Sequence, residues 1–287
     1  MTQQIGKRLL VAGSSNVGCV RTLNEDNFLI DEQIGLLVVA DGMGGHDAGE
    51  VASQLVVDSI RNTLHTFMRI PQESSRQIPS PRADDWEPDN TPPAGHKAHP
   101  NNDEPTVDEA PNPILSVVQS AVNRANAAVN SANMEKGYME GMGMGSTLVG
   151  LWLPEYSEKP VIFHVGDSRL YLFSKGQLTQ ATQDHSMYQQ WINFGRRGEP
   201  PAQNILLQAM GPSNYVTPDI GFQDVASGDL VLLRSDGLTG MVPVPGLAAV
   251  LGETHRHNLD ESCARLIEMA RKAGGKDNIT VILGCFI

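Results

Sequence analysis

The chain has 287 residues, 40% of them hydrophobic, and its 33 acidic against 21 basic residues give a net charge of −12. That length supplies a core for one large domain or two small ones, while the acidic balance argues against general nucleic-acid binding, which needs a basic surface. No apolar run approaches the ~20 residues of a membrane helix. The N-terminus has no signal-peptide layout, and Cys19, Cys263 and Cys285 are scattered without a CxxC pair. A soluble protein of the reducing cytoplasm is expected, with neither a disulfide framework nor a zinc site.

In chain order, β-rich runs predict strands over 9–12, 28–30 and 36–40. From Glu50, the residues Val51, Leu55, Val56, Ile60, Leu64 and Phe67 recur at helical spacing. The stretch from about 70 to 113 then changes character. It holds 10 of the 18 prolines, and its nine acids outnumber its three bases. So few apolar residues cannot offset the entropy of ordering the chain, and this predicts a disordered insertion. Beyond it, Ile114, Leu115, Val118, Ala121, Val122, Ala125 and Val129 resume the helical period. The two stripes read as one helical hairpin with a lengthened connection, which loop-closure entropy tolerates.

Further strands are predicted over 147–153, 161–165, 170–173, 230–234 and 279–286. A third helix is expected over 259–273, opened by a capping box of Asn258 and Glu261. Gly-Asp, Lys-Gly and Ser-Gly pairs between strands suit antiparallel hairpins. The expected class is α+β, with sheets packed together and helices outside.

The strand ends carry the chemistry. "LLVVADG" stops at Asp41-Gly42, "VIFHVGDSR" at Gly166-Asp167 and "DLVLLRSDG" at Asp236-Gly237. Asp277 directly precedes the strand in "GGKDNITVIL", and Glu25-Asp26 precedes another in "RTLNEDNF". Any one of these alone reads as a turn carboxylate. Together, on neighbouring strands, they would gather at one edge. Gathered carboxylates repel unless cations compensate them. An all-oxygen set without His or Cys suits Mg²⁺ or Mn²⁺. Two such ions about 4 Å apart are the usual means of hydrolysing a phosphate ester. Arg21, just ahead of Glu25-Asp26, is placed to hold a phosphate bidentately.

In this order and spacing "RTLNED", "VVADGMGGHDAGEVAS", "GSTL", "HVGDSR", "QDHS", "LVLLRSDGL" and "GGKDNITVIL" resemble the motif set of the protein phosphatase 2C family, in its bacterial branch. The resemblance covers nearly all of the chain outside the insertion, as a single phosphatase domain. It implies a four-layer αββα sandwich with a dinuclear metal centre at the sheet edges. It further implies a metal-dependent protein serine/threonine phosphatase, in which a metal-activated water attacks phosphoserine or phosphothreonine in line. By this resemblance Asp41 bridges two Mg²⁺ or Mn²⁺ ions and Gly42 offers its backbone carbonyl. Asp236 and Asp277 complete one ion's shell, and Glu25 and Asp26 hold metal-bound waters. Asp167 ligates a third ion, shared with Asp236, while Asn278 supports Asp277 and Arg21 binds the substrate phosphate.

Some members of the family have a His directly after Asp-Gly as general acid, whereas Met43 stands there in this chain. A metal-bound water or His46 would then protonate the leaving alcohol, and His46 reads equally well as a plain turn residue. His185 in "QDHS" reads as a structural hydrogen-bonding residue. Residues 187–214 correspond to the flap of bacterial relatives, with Trp191 and Phe194 expected in packing and Arg196-Arg197 able to meet a phosphorylated segment. The "GMGMGS" run lacks the Gly-Lys-Ser/Thr of a phosphate-binding loop.

The partners implied are phosphorylated proteins and an opposing bacterial Ser/Thr kinase. Neither nucleic acid nor membrane is among them, and the enzyme is expected to be monomeric and cytoplasmic. The alternative is a catalytically weak phosphoprotein-binding regulatory module on the same fold. A third reading, an acidic scaffold acting through the insertion, rests on composition alone.

Overall fold

A computed structural model describes residues 2–44, 48–69 and 112–287. Two antiparallel sheets lie face to face. The first contains β1 (Gln3–Ile5), β2 (Leu9–Asn16), β8 (Arg169–Ser174), β9 (Gln177–Gln180), β11 (Leu230–Arg234) and β12 (Ile279–Phe286), in the order β1-β2-β12-β11-β8-β9. The second contains β3 (Asp26–Asp31), β4 (Leu36–Met43), β6 (Leu148–Trp152), β7 (Val161–Val165) and β10 (Asp219–Phe222), in the order β10-β7-β6-β4-β3. The short β5 (Gly145–Ser146) extends the latter sheet by pairing with Gly42 and Met43.

Strand alternation sorts the side chains into three apolar layers. In β4, Leu37 and Val39 face inward, where they meet Val231, Leu233 and Ile282 of the other sheet. Leu36, Val38 and Ala40 face outward onto α1 (Ala48–Arg69) and α2 (Pro113–Glu135). On the far side Leu232, Val281 and Leu283 meet α5 (Val244–Glu253) and α6 (Leu259–Lys272). The architecture is the expected αββα sandwich. Because both faces of each central strand are covered, these strands are mostly apolar, with polar residues chiefly towards their ends, and show no regular polar alternation.

Buried asparagines tie the helical hairpin to the loops beside the cleft. Asn133 donates to Met144 O at 2.8 Å and accepts from Met144 N at 2.9 Å. Asn126 accepts from Gly211 N at 2.8 Å. These bonds give the "GMGMGS" run a structural use as a strap leading into β5.

Several expectations are corrected. The last proline of the 70–113 segment, Pro113, is the first residue of α2, where a missing N–H costs nothing, and Asn112 caps it by accepting from Ile114 N. The rest of that segment and His46 lie outside the described residues. Asn258 forms no capping box; its side chain accepts from His255 N and donates to Glu253 O, closing the turn between α5 and α6. β2 runs on to Asn16 because its polar end still pairs with β12, with Ser15 and Thr280 hydroxyls 2.7 Å apart.

Candidate active site

Two β-edges converge to build the site. In the antiparallel pair of β3 and β4, Asp26 stands directly opposite Asp41. From the other sheet, β11 ends at Arg234 and runs through Ser235 into α4 (Asp236–Thr239), while Asp277 precedes β12. The turn after β7 adds Asp167, behind Gly166 at a φ of +101° that disfavours any other residue.

Arg21, Glu25, Asp41, Gly42, Asp167, Asp236 and Asp277 line one cavity of about 240 Å³. Asp26 does not line it. It sits behind Asp41, only 7% exposed, where Ser235 Oγ and Thr280 Oγ1 both donate to its Oδ2 at 2.7 Å.

The glycines of the Asp-Gly pairs have packing reasons. A Cβ on Gly42 would lie 2.1 Å from Gly49 O in the first turn of α1, and one on Gly237 would lie 1.9 Å from Asn278 O. Backbone therefore closes against the carboxylates at both sheet edges. Asn278 braces the loop that carries Arg21 and Glu25. Its Oδ1 accepts from Glu25 N at 2.8 Å, and its Nδ2 donates to Val17 O and Leu23 O. Its backbone N–H donates to Asp277 Oδ1 at 3.0 Å.

Electrostatically the cluster is short of cations. Burial, then the neighbouring Asp26 and Asp236, hold the Asp41 carboxyl well above the ordinary carboxylate range. Burial pushes Asp26 up to about 7 against the hydroxyls that donate to it. Burial and Asp236 push Asp167 to about 6, and burial with Asp277 raises Asp236. Arg21 compensates at one side, donating from Nη2 to Asp277 Oδ2 at 2.8 Å, with its Nη1 4.0 Å from Glu25 Oε2. Among the described residues, the buried oxygens Glu25 Oε1 and Asp26 Oδ1 have no hydrogen-bond partner. Converging hard oxygens, mutual repulsion and orphaned acceptors fit divalent cations of the Mg²⁺ or Mn²⁺ type.

The residues that sequence reading missed include Thr147, Asn204 and Leu206 on the cavity wall. Thr147 Oγ1 accepts from Asp41 N at 3.0 Å, and the Thr147 N–H donates to Asp41 O at 2.8 Å, fixing the end of β4. Met43, Asn204 and Leu206 also line a larger groove of about 770 Å³ whose wall carries no charged residue. Thr147 lies in the "GSTL" motif and Asn204 and Leu206 in the flap segment, but their place on the cavity wall is set by tertiary contacts that local sequence does not show.

His185 is a hydrogen-bonding residue, as expected. Its ring accepts from Gly166 N at 3.3 Å and its backbone N–H donates to Gly166 O at 2.9 Å, which orients the turn before Asp167. His185 and His164 also come close to Asp219, 3.4 and 3.9 Å from its Oδ2. The two rings stack at 4.5 Å, and His164 Nε2 lies 2.7 Å from Gln183 O. Stacked rings with one ring nitrogen already engaged do not fit a shared ion, whose imidazole ligands radiate from it. In α3 (Met187–Asn193), Trp191 packs on Tyr188 and donates to Arg197 O. Phe194 is 71% exposed, contrary to the packing role expected of it, because α3 ends there and buries none of its residues.

Comparison with known proteins bears on this cleft. The family model described as protein phosphatase 2C matches residues 20–278. "Serine/threonine protein phosphatase PstP" of Mycobacterium tuberculosis is 31% identical over 280 residues, 96% of this chain and 44% of that protein. The chain thus spans under half the length of that relative. "Serine/threonine phosphatase stp" of Listeria monocytogenes is 30% identical over 93% of this chain and 91% of its own. A solved catalytic domain of PstP in complex with two manganese ions superposes with a TM-score of 0.72 at 30% identity, covering 98% of this chain and 99% of that one.

Proposed function

The chain belongs to the protein phosphatase 2C family, and on that premise we propose that it is a metal-dependent protein phosphatase acting on phosphoserine and phosphothreonine. The observation that carries the reading is the convergence of Asp41, Asp167, Asp236 and Asp277 from two sheets into one cavity with Arg21 on its wall. Asp41, the Gly42 carbonyl, Asp236 and Asp277 would be ligands of the ions and Glu25 would act through water, while Asp26, expected to do the same, is held by hydroxyls behind Asp41 and would support that carboxylate instead. Asp167 with Asp236 would hold a third ion. When bound, such ions make water nucleophilic at neutral pH and offset charge on phosphoryl oxygens.

The chain's own groups supply the rest. Arg21 is half-exposed on a flexible stem, so its fork can orient a substrate phosphate opposite the carboxylates. Thr147 and Asn278 hold Asp41 and Glu25 in place through backbone bonds. Met43 offers no proton to the leaving alcohol, which assigns that step to water or to His46. The uncharged groove that opens beside Met43 suits the polypeptide around a phosphorylated residue. A single phosphatase domain, working as a monomer in the cytoplasm against a Ser/Thr protein kinase, completes the proposal. No helix of the described residues is long and apolar enough to cross a membrane.

The test is hydrolysis of a phosphothreonine peptide with Mn²⁺, with EDTA, and by Asp236→Ala. Turnover that requires Mn²⁺ and vanishes in both controls supports the proposal. A folded protein inert across Mn²⁺ and Mg²⁺ concentrations would sink it.

A further inference from the structure

Arg234 is the charged end of an otherwise apolar strand, two residues before Asp236, and it is only 1% exposed. Its partner across the strands is another arginine, Arg169. Arg169 is fully engaged: Nε and Nη2 donate to the two oxygens of Asp184 at 2.7 and 2.6 Å, and Nη1 donates to the Tyr171 hydroxyl. Arg234 receives no such carboxylate among the described residues. Its Nη1 donates to the adjacent Ser235 O at 3.1 Å, its guanidinium carbon stands 5.8 Å from the Tyr171 ring centroid, and Nε and Nη2 have no partner.

A buried guanidinium without an ion pair is costly, and arginine does not escape the cost by losing its proton. Something nearby must compensate it. Arg234, Asp167 and Asp236 share the wall of a cavity of about 190 Å³, and Asp167 and Asp236 also line the site cavity described above. These two carboxylates thus border both the cavity that holds Arg234, together with the Arg169–Asp184 pair, and the cavity of the candidate metal positions.

We propose that Arg234 is a fixed internal cation at the Asp167–Asp236 end of the cleft, and that it weakens divalent-cation binding there relative to the Asp41–Asp277 end. The inference rests on the proposed metal-dependent function. Arg234 borders the same small cavity as both carboxyl groups and is only 1% exposed, so water does little to screen its charge from them. Positive charge supplied by the chain therefore occupies part of the field that an ion at Asp167 would need. Ions at Asp41 and Asp277 meet Arg21, which is half-exposed and free to swing away; Arg234 is enclosed and cannot.

The test is Mn²⁺ binding to the full chain, followed by electron paramagnetic resonance of free Mn²⁺ and by calorimetry. Asp167→Asn identifies the class of sites at that end by removing it. Arg234→Met should then tighten that class by about tenfold or more, while Arg234→Lys, which keeps the charge, should leave it near its original affinity. If the Met variant does not fold, Arg234→Gln against Arg234→Lys makes the same comparison of charge. Unchanged affinity on losing the charge, equal tightening by Lys, or no class removed by Asp167→Asn overturns the inference. A chain that binds no Mn²⁺ at any site would remove the proposed function as well, so the two failures are distinguishable.

Discussion

Arg21 and Asp277, 256 positions apart in sequence, meet at 2.8 Å across the mouth of the cleft. The pair is half-exposed, so water screens it and its contribution to stability is small. Its worth lies in pre-placing a guanidinium beside the carboxylates. Arg21→Ala is expected to lower kcat/KM on a phosphopeptide by about 10- to 100-fold with little change in melting temperature. Steady-state kinetics alongside thermal melts check this. A large loss of stability with unchanged kinetics would contradict it.

Asp236 is raised by burial and by Asp277, so its charge opposes folding when no cation is bound. Asp236→Asn should therefore melt about 2–4 °C above the original chain in EDTA. The order should reverse in excess Mn²⁺, where only the original chain gains from binding. Calorimetric melts in both conditions decide.

Asp26 gives a pH signature. Its folded-state value of about 7 lies above the unfolded one, so folding favours the protonated carboxyl. That contribution is full below about pH 4 and is lost as the pH rises through about 7. Asp26→Asn stays neutral throughout. In EDTA the original chain should fall behind this variant progressively between pH 5 and pH 8. His164, held below its ordinary value by burial, changes in both proteins and cancels in the difference. Parallel melting curves across that range would refute the assignment.

Gly42 tests the packing of the Asp-Gly edge. A methyl there would meet the Gly49 and Glu25 carbonyl oxygens at 2.1 and 2.6 Å, and both belong to backbone. Gly42→Ala should cost about 1–3 kcal/mol in urea unfolding and displace Asp41 enough to reduce Mn²⁺ affinity. Gly221 has open space around it and serves as the control, with little effect from Ala.

Much of the fold was readable locally because the central strands are apolar and the three long helices have a clean apolar stripe. The elements that escaped are those whose stability comes from elsewhere. β10 is short and partly exposed, and pairs with a well-formed β7. α5 carries Pro245 and Gly246 in its first turn, a composition that suggests a loop until α6 packs against it. Within the cleft, each carboxylate was visible as an acid at a strand end. Which of them would be enclosed was not: Asp26 and Glu25 are adjacent, yet Asp26 is bound by hydroxyls behind the cavity while Glu25 lines it. Arg234 stands within "LVLLRSDGL", where nothing local distinguishes a strand-end arginine that reaches water from one that does not.

The last consequence concerns synthesis. Asp277 and β12 follow all the other strands in sequence, yet β12 fills the middle of its sheet, between β2 and β11. Leu9, paired with Ile5 on one side, must wait for Phe286 before it is paired on the other. Until residues 277–286 have left the ribosome, the nascent polypeptide has an open sheet edge and an incomplete acidic pocket. Contacts this distant in sequence form slowly, since the closing loop is paid for before its bonds are made. Reactivity is thereby tied to completion of these ten residues. An interrupted translation product would lack Asp277 and expose the unpaired edges of β2 and β11, marking it for aggregation or degradation.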